Sequence, residues 1–150
     1  MPSGDDRVAM RFLVATDGSE ESERAVEHAA TNAVAHVAAL SVVHIVPEEP
    51  AHGARDARTD DDLDERGERI LRRARERAAE VAETQGADVP VDTELRTGRP
   101  ASAIMDYAEE VDADGLFLGH RVLPAQREAV VGSVAKDILD TATMPVTIVP

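Results

Sequence analysis

LFLGHRVLPAQREAVVGS, residues 116–133, decides the fold. Leu116, Phe117 and Leu118 form an unbroken apolar run, the mark of a strand covered on both faces and so of a sheet with helices above and below it. Gly119 ends the run where a bare backbone can turn sharply. Gly132-Ser133 marks the far end of the loop. A glycine followed by serine at a helix start offers unpaired backbone N–H groups, a hydroxyl and the positive end of the helix dipole, a combination that suits a phosphate. The same serine also serves as an ordinary N-cap in helices that bind nothing.

Upstream of this stretch the chain alternates strands with helices. Residues 10–15 read as a first strand around Phe12, Leu13 and Val14, followed by the turn Thr16-Asp17-Gly18-Ser19. Ser19 is a good N-cap, Glu20 and Glu21 suit the first turn's dipole, and Ala25, Val26, Ala29, Ala30, Ala33 and Val37 recur at helical spacing. Residues 39–46 are a second strand stopped by Pro47, and 47–60 a charged surface loop rich in Pro and Gly. The acidic run at 60–64 is not a calcium loop, because Glu65 stands where that loop needs Gly and Leu71 where it needs Glu. It opens a long helix to about residue 85, with Leu63, Ile70, Leu71, Ala74, Ala78, Val81 and Ala82 on its core face and Gly86 ending it. On its outer face Glu65 is expected to pair with Arg69, Glu68 with Arg72, and Glu76 with Arg72 and Arg73, making a solvated surface rather than a binding patch.

Residues 89–95 predict a third strand with Val91, Thr93 and Leu95 alternating. Thr97-Gly98-Arg99-Pro100 then turns into a helix whose Ala101, Ile104, Met105, Ala108 and Val111 face inward. Ser133 to about residue 141 predicts the last helix, with Val134, Ile138 and Leu139 buried, and 146–149 the fifth strand. The alternation defines one α/β domain over residues 1–150, a doubly wound, mostly parallel five-stranded sheet with helices on both faces. Ligands of such sheets sit at the carboxyl ends of the strands, where the strand order reverses.

The chain has 150 residues, enough for one core, and carries 30 acidic against 16 basic residues, a net charge of −14, with Lys136 its one lysine. So acidic a surface repels itself at low ionic strength, whereas molar salt shortens the Debye length to ~3 Å, so a halophilic, high-salt setting suits it. Nucleic-acid binding is disfavoured, since phosphate backbones need a basic face. With no cysteine there is no disulfide framework or thiolate nucleophile. No apolar run is long enough for a bilayer and residues 1–7 hold no secretory core, so a cytoplasmic protein without a membrane partner is expected.

The spacing from Gly119 through Val122 to Gly132-Ser133 resembles the nucleotide motif of the universal stress protein family, G-x2-G-x9-G-[ST], with Val122 in place of the second glycine. VATDGSE at 14–20, TGRPASAI at 97–104 and PVTIVP at 145–150 resemble that family's first strand and Asp, third helix start and last strand. The resemblance implies a Rossmann-like fold similar to the adenine nucleotide alpha hydrolases, with strand one beside strand four, so that Asp17 and Gly119 face one crevice. It implies a stress-response module binding ATP or AMP. Asp17 would lie at the adenine or ribose side, Leu118 and Val46 (or Ile45) would form the apolar wall, and Gly119, Val122, Gly132 and Ser133 would face the phosphates, with Mg or Mn accompanying them. It also implies a homodimer through the short apolar edge Val146, Thr147, Ile148 and Val149. The alternative is a dimeric interaction protein of the same family that binds no nucleotide.

Read from the residues, Asp17 is equally a turn-forming Asp-Gly, and Leu118 and Val46 are equally core. Val122 cannot comfortably adopt the conformations that glycine allows in such a loop, Pro124 removes one N–H donor, and Arg121 and Arg127 offer compensating charge. None of the five histidines, His28, His36, His44, His52 and His120, has the spacing of a helical zinc site, although His120 adjoins Gly119. There is no G-x-S-x-G and no Walker loop, so no enzyme is expected.

Overall fold

The computed structural model describes residues 10–47, 60–119 and 128–150, with the side chains of 60–61 and 128–133 outside that set. Its elements run β1 (Arg11–Ala15), α1 (Glu20–His36), β2 (Ala39–Pro47), α2 (Asp60–Thr84), β3 (Val91–Gly98), α3 (Pro100–Glu110), β4 (Gly115–Gly119), α4 (Glu128–Thr141) and β5 (Val146–Val149). The strands form one sheet in the order β3-β2-β1-β4-β5, and all four pairings are parallel. The order reverses between β1 and β4, which pair Phe12 with Gly115 and Val14 with Phe117.

Alternation along the strands divides the interior into two cores. Phe12 and Val14 of β1 and Phe117 of β4 point to the face covered by α1 and α2, where Ala25, Ala29, Ala33, Ala74 and Ala78 are buried. Leu13, Leu116 and Leu118 point the other way, against Ile104, Tyr107 and Ala108 of α3 and Ile138 of α4. The alanine-rich faces of α1 and α2 let both helices lie close to the sheet.

Gly67 serves the same close approach in the middle of α2, where a glycine weakens a helix by about 1 kcal/mol relative to alanine. A Cβ there would sit 2.6 Å from Leu95 Cδ1 and 3.0 Å from His44 Cδ2, so the missing side chain makes room for both.

Five expectations need correction, the first being β3, which starts at Val91 and runs on through Thr97 and Gly98 where a turn was expected. Val37 does not continue the buried face of α1. It is the C-cap in the left-handed region (φ 55°), its N–H reaching the carbonyls of Ala33 and Val34, and it is 84% exposed. Leu139 is 54% exposed, because its neighbour Ile138 already takes the inward direction and the next residue lies about 100° further round the helix. Among the described residues the same-helix pairs expected of Glu65, Glu68 and Glu76 do not form; α2 instead reaches across to α1, Arg77 to Glu23 and Glu27 and Arg73 to Glu23. Finally, α4 begins at Glu128 rather than at Ser133. A glutamate and an alanine open a helix well, so the helix extends upstream of the Gly-Ser pair.

At the amino ends of β1 and β2, Arg11 Nη1 donates to Ser41 Oγ (2.9 Å) and to Asp92 Oδ2 (3.0 Å). Nearby, Arg96 lies 4.7 Å over the Tyr107 ring and binds Glu94 and Glu110. Burial first, then the Glu94 charge, lifts the Tyr107 phenol above its ordinary value. The folded protein therefore holds this proton at pH values where the unfolded chain has lost it, and stability falls as pH rises beyond about 10. Tyr107 is the one tyrosine and there is no tryptophan, so tyrosinate absorbance reports on it alone. A native titration midpoint at the value of a free phenol would contradict the buried placement.

Candidate functional site

The turn after β1 is built from its own hydroxyls. Asp17 Oδ1 accepts from the Ser19 N–H (2.9 Å) and from Ser22 Oγ (3.1 Å), while Ser19 Oγ caps α1 by accepting from the Ser22 N–H (3.2 Å). Thr16 Oγ1 accepts from the Gly18 N–H (3.1 Å) and lies 2.9 Å from Ser22 Oγ. Thr16 and Ser22 are each 5% exposed, so the inner half of this network is sealed, whereas Ser19 is half-buried and Asp17 exposed. Gly18 takes φ 86°, which glycine allows at no steric cost.

This turn lines one wall of a cleft of about 520 Å³ at the carboxyl ends of β1, β2 and β4. The volume is that of a small-molecule site. Val46 and Pro47 of β2, Leu63 and Arg66 of α2, Ile104 of α3, and Leu118 and Gly119 of β4 complete the wall, with Val134 and Ala135 of α4. The cleft is thus apolar on most sides and acidic at Asp17.

Four of the seven site residues expected from sequence, Asp17, Val46, Leu118 and Gly119, line this one cleft. Val122 lies outside the described residues, as do His120, Arg121, Pro124 and Arg127. Gly132 and Ser133 fall inside α4, with the Ser133 side chain outside the described set. As fifth and sixth residues of a helix they bond their N–H groups within it, so the pair does not stand at the helix start where unbonded N–H groups lie.

Gly119 has a different reason from the sharp turn expected of it. It is paired in the sheet with Val149 and has no positive φ. A Cβ there would meet the backbone of α1's first turn, 2.6 Å from the Glu21 carbonyl carbon and oxygen and 2.7 Å from Ser22 N. Sequence reading missed His44, whose Nδ1 donates to the Thr16 carbonyl (2.8 Å) and whose ring lies under Gly67. It also missed the roles of Leu63 and Arg66 at the cleft. A glycine in the middle of the long α2 helix was the available signal, since it costs helix stability unless something must come close.

A parallel sheet reversing its order between β1 and β4, with its cleft at that point, places the molecule in the doubly wound α/β class. Residues 9–150 match the universal stress protein family, and the chain belongs to that family. A relative, universal stress protein YxiE of Bacillus subtilis (strain 168), is 30% identical over 155 residues, covering 93% of this chain and 97% of its own. Among solved structures, a universal stress protein in complex with cAMP is similar with a TM-score of 0.70 and 28% identity, covering 94% of this chain and 96% of that one. The universal stress protein from Archaeoglobus fulgidus in complex with dAMP is similar with a TM-score of 0.67 and 26% identity, covering 95% and 99%.

Proposed function

We propose that this universal stress protein binds adenine nucleotide, ATP or AMP, in the cleft between β1 and β4, as a regulatory module without catalysis. The observation that carries the reading is the meeting of exposed Asp17 with the apolar wall of Val46, Leu118 and Ile104 at the reversal of strand order. An adenine ring suits that wall, and ribose hydroxyls are donors that a carboxylate accepts. The relatives solved with cAMP and dAMP support the same ligand class. The phosphates are assigned to the stretch from Gly119 through Val122 into α4, with Gly132 and Ser133 beyond its first turn. Mg or Mn would accompany the phosphates of the nucleotide.

Asp17→Asn keeps an oxygen for the Ser19 N–H while removing the charge. It is expected to weaken AMP binding roughly tenfold, because a hydrogen bond to a charged group is worth about 1.5–3 kcal/mol. Val122→Gly is expected to tighten binding by restoring the motif's second glycine. Calorimetric titration with ATP and AMP in high salt checks both; no heat from the wild type would favour the nucleotide-free interaction protein.

The outer edge of β5 pairs with no strand among the described residues, and Val146, Thr147 and Ile148 are half-buried there. We propose that Val146, Thr147, Ile148 and Val149 join two copies along this edge. Sedimentation in high salt should give a dimer for the wild type and a monomer for Ile148→Asp. A wild-type monomer at micromolar concentration would refute the dimer.

A further inference from the structure

Beside the cleft, and sharing Arg66 with it, a second hollow of about 580 Å³ opens between α2 and the Gly18 turn. Arg66, Arg69, Arg72 and Arg73 line it with Glu76, over a floor of Ile70, and Ile70 Cγ1 lies 3.1 Å from where a Gly18 Cβ would be. Four guanidinium groups against one carboxylate is a local reversal of sign in a chain of net charge −14.

These arginines are also underused. Arg73 reaches Glu23 at 3.8 Å, and no hydrogen bond or ion pair to Arg66, Arg69 or Arg72 forms among the described residues. Glutamates at helical spacing, Glu65, Glu68 and Glu76, are at hand and do not neutralise them. Arg66, Arg69 and Arg73 follow one face of the helix, and Arg66 to Arg73 spans about 10 Å along its axis. A single phosphate would occupy only one end of such a ladder.

We propose that this hollow is a binding site for a chain of condensed phosphates, each guanidinium taking phosphate oxygens through paired N–H donors. Arg66 lines the cleft as well as the hollow, so the anion has two sources: a free polyphosphate, or the distal phosphates of a nucleotide whose base lies in the cleft. The site stands apart from the nucleotide reading through Arg69, Arg72 and Arg73, which do not line the cleft.

The test is calorimetric titration of the whole chain with inorganic triphosphate and, separately, with AMP, at moderate and at high salt. Wild type and Arg69→Gln/Arg72→Gln are compared, the two changes being exposed and outside the cleft lining. Triphosphate affinity should fall roughly tenfold or more in the double variant, with AMP titrations identical in the two proteins. Competition of triphosphate with ATP but not AMP would identify the nucleotide's own phosphates as the source, and absence of competition with either would identify the free anion. Failure of triphosphate to bind the wild type, or equal affinity in the double variant, would overturn the proposal; failure of AMP alone would overturn only the nucleotide reading.

Discussion

Dilution from about 1 M to about 0.01 M salt is expected to unfold or nearly unfold the ligand-free protein, by lengthening the Debye length from ~3 to ~30 Å. The net charge of −14 is the cause. Spread over a sphere of folded size and compared with the same charge on an expanded chain, it adds about 8 kcal/mol of repulsion against folding across that range. Total stabilities run to only about 5–15 kcal/mol, so a term of that size decides whether the chain is folded. The pairs of Arg77 and Arg73 with Glu23 and Glu27 work the other way, since dilution strengthens attraction as well. Exposed pairs are worth about 1 kcal/mol or less each, so repulsion wins. Thermal melts across a salt series check this, and a midpoint independent of salt would refute it. They belong on ligand-free protein, because a bound ligand stabilises by mass action.

Gly119→Ala should be the most damaging single-methyl change in the sheet. Its Cβ would press at 2.6–2.7 Å on backbone atoms of Glu21 and Ser22, which cannot rotate aside as a side chain can. Relief requires the first turn of α1 to move, which breaks the Ser19 cap and the Asp17–Ser22 bond together. Overpacking of this kind costs about 3 kcal/mol, a fall of roughly 6–12 °C in melting temperature for a domain of this size. Gly86→Ala is the control: its φ of 69° is unfavourable for alanine, but nothing lies within 4 Å of the new methyl, so about 1–2 kcal/mol is expected. Equal melting temperatures for the two variants would show that the α1 turn yields easily and that Gly119 is there for another reason.

The strands were legible because they are short apolar runs bounded by turn residues; β5 at Val146–Val149 was read to the residue. So was the Ser19 cap, a local signal. Strand order was not legible from the residues, since no local pattern says which parallel strand lies beside which; the family resemblance supplied β1 beside β4. Part of the cleft was legible too: Asp17 and Gly119 lie at strand ends, which periodicity locates, while the family resemblance implied that they share one crevice. His44, Leu63 and Arg66 escaped because their roles depend on where α2 lies over the sheet, a distance governed by Gly67 and visible only in three dimensions. Val37 and Leu139 misled because periodicity marks a helix face without saying where the helix stops or which of two adjacent apolar residues turns outward.

The hydroxyl network around Asp17 bears on how any guest would be received. Thr16, Asp17, Ser19 and Ser22 already hold one another in place, and Gly119 seats the same turn from behind. A ligand arriving there meets a preorganised surface, so little of its binding energy is spent freezing loop motion at this end. For the proposed ligand the Asp17 wall of the cleft would act as a fixed die, with selectivity set by the shape and donors of the guest rather than by adjustment of the host.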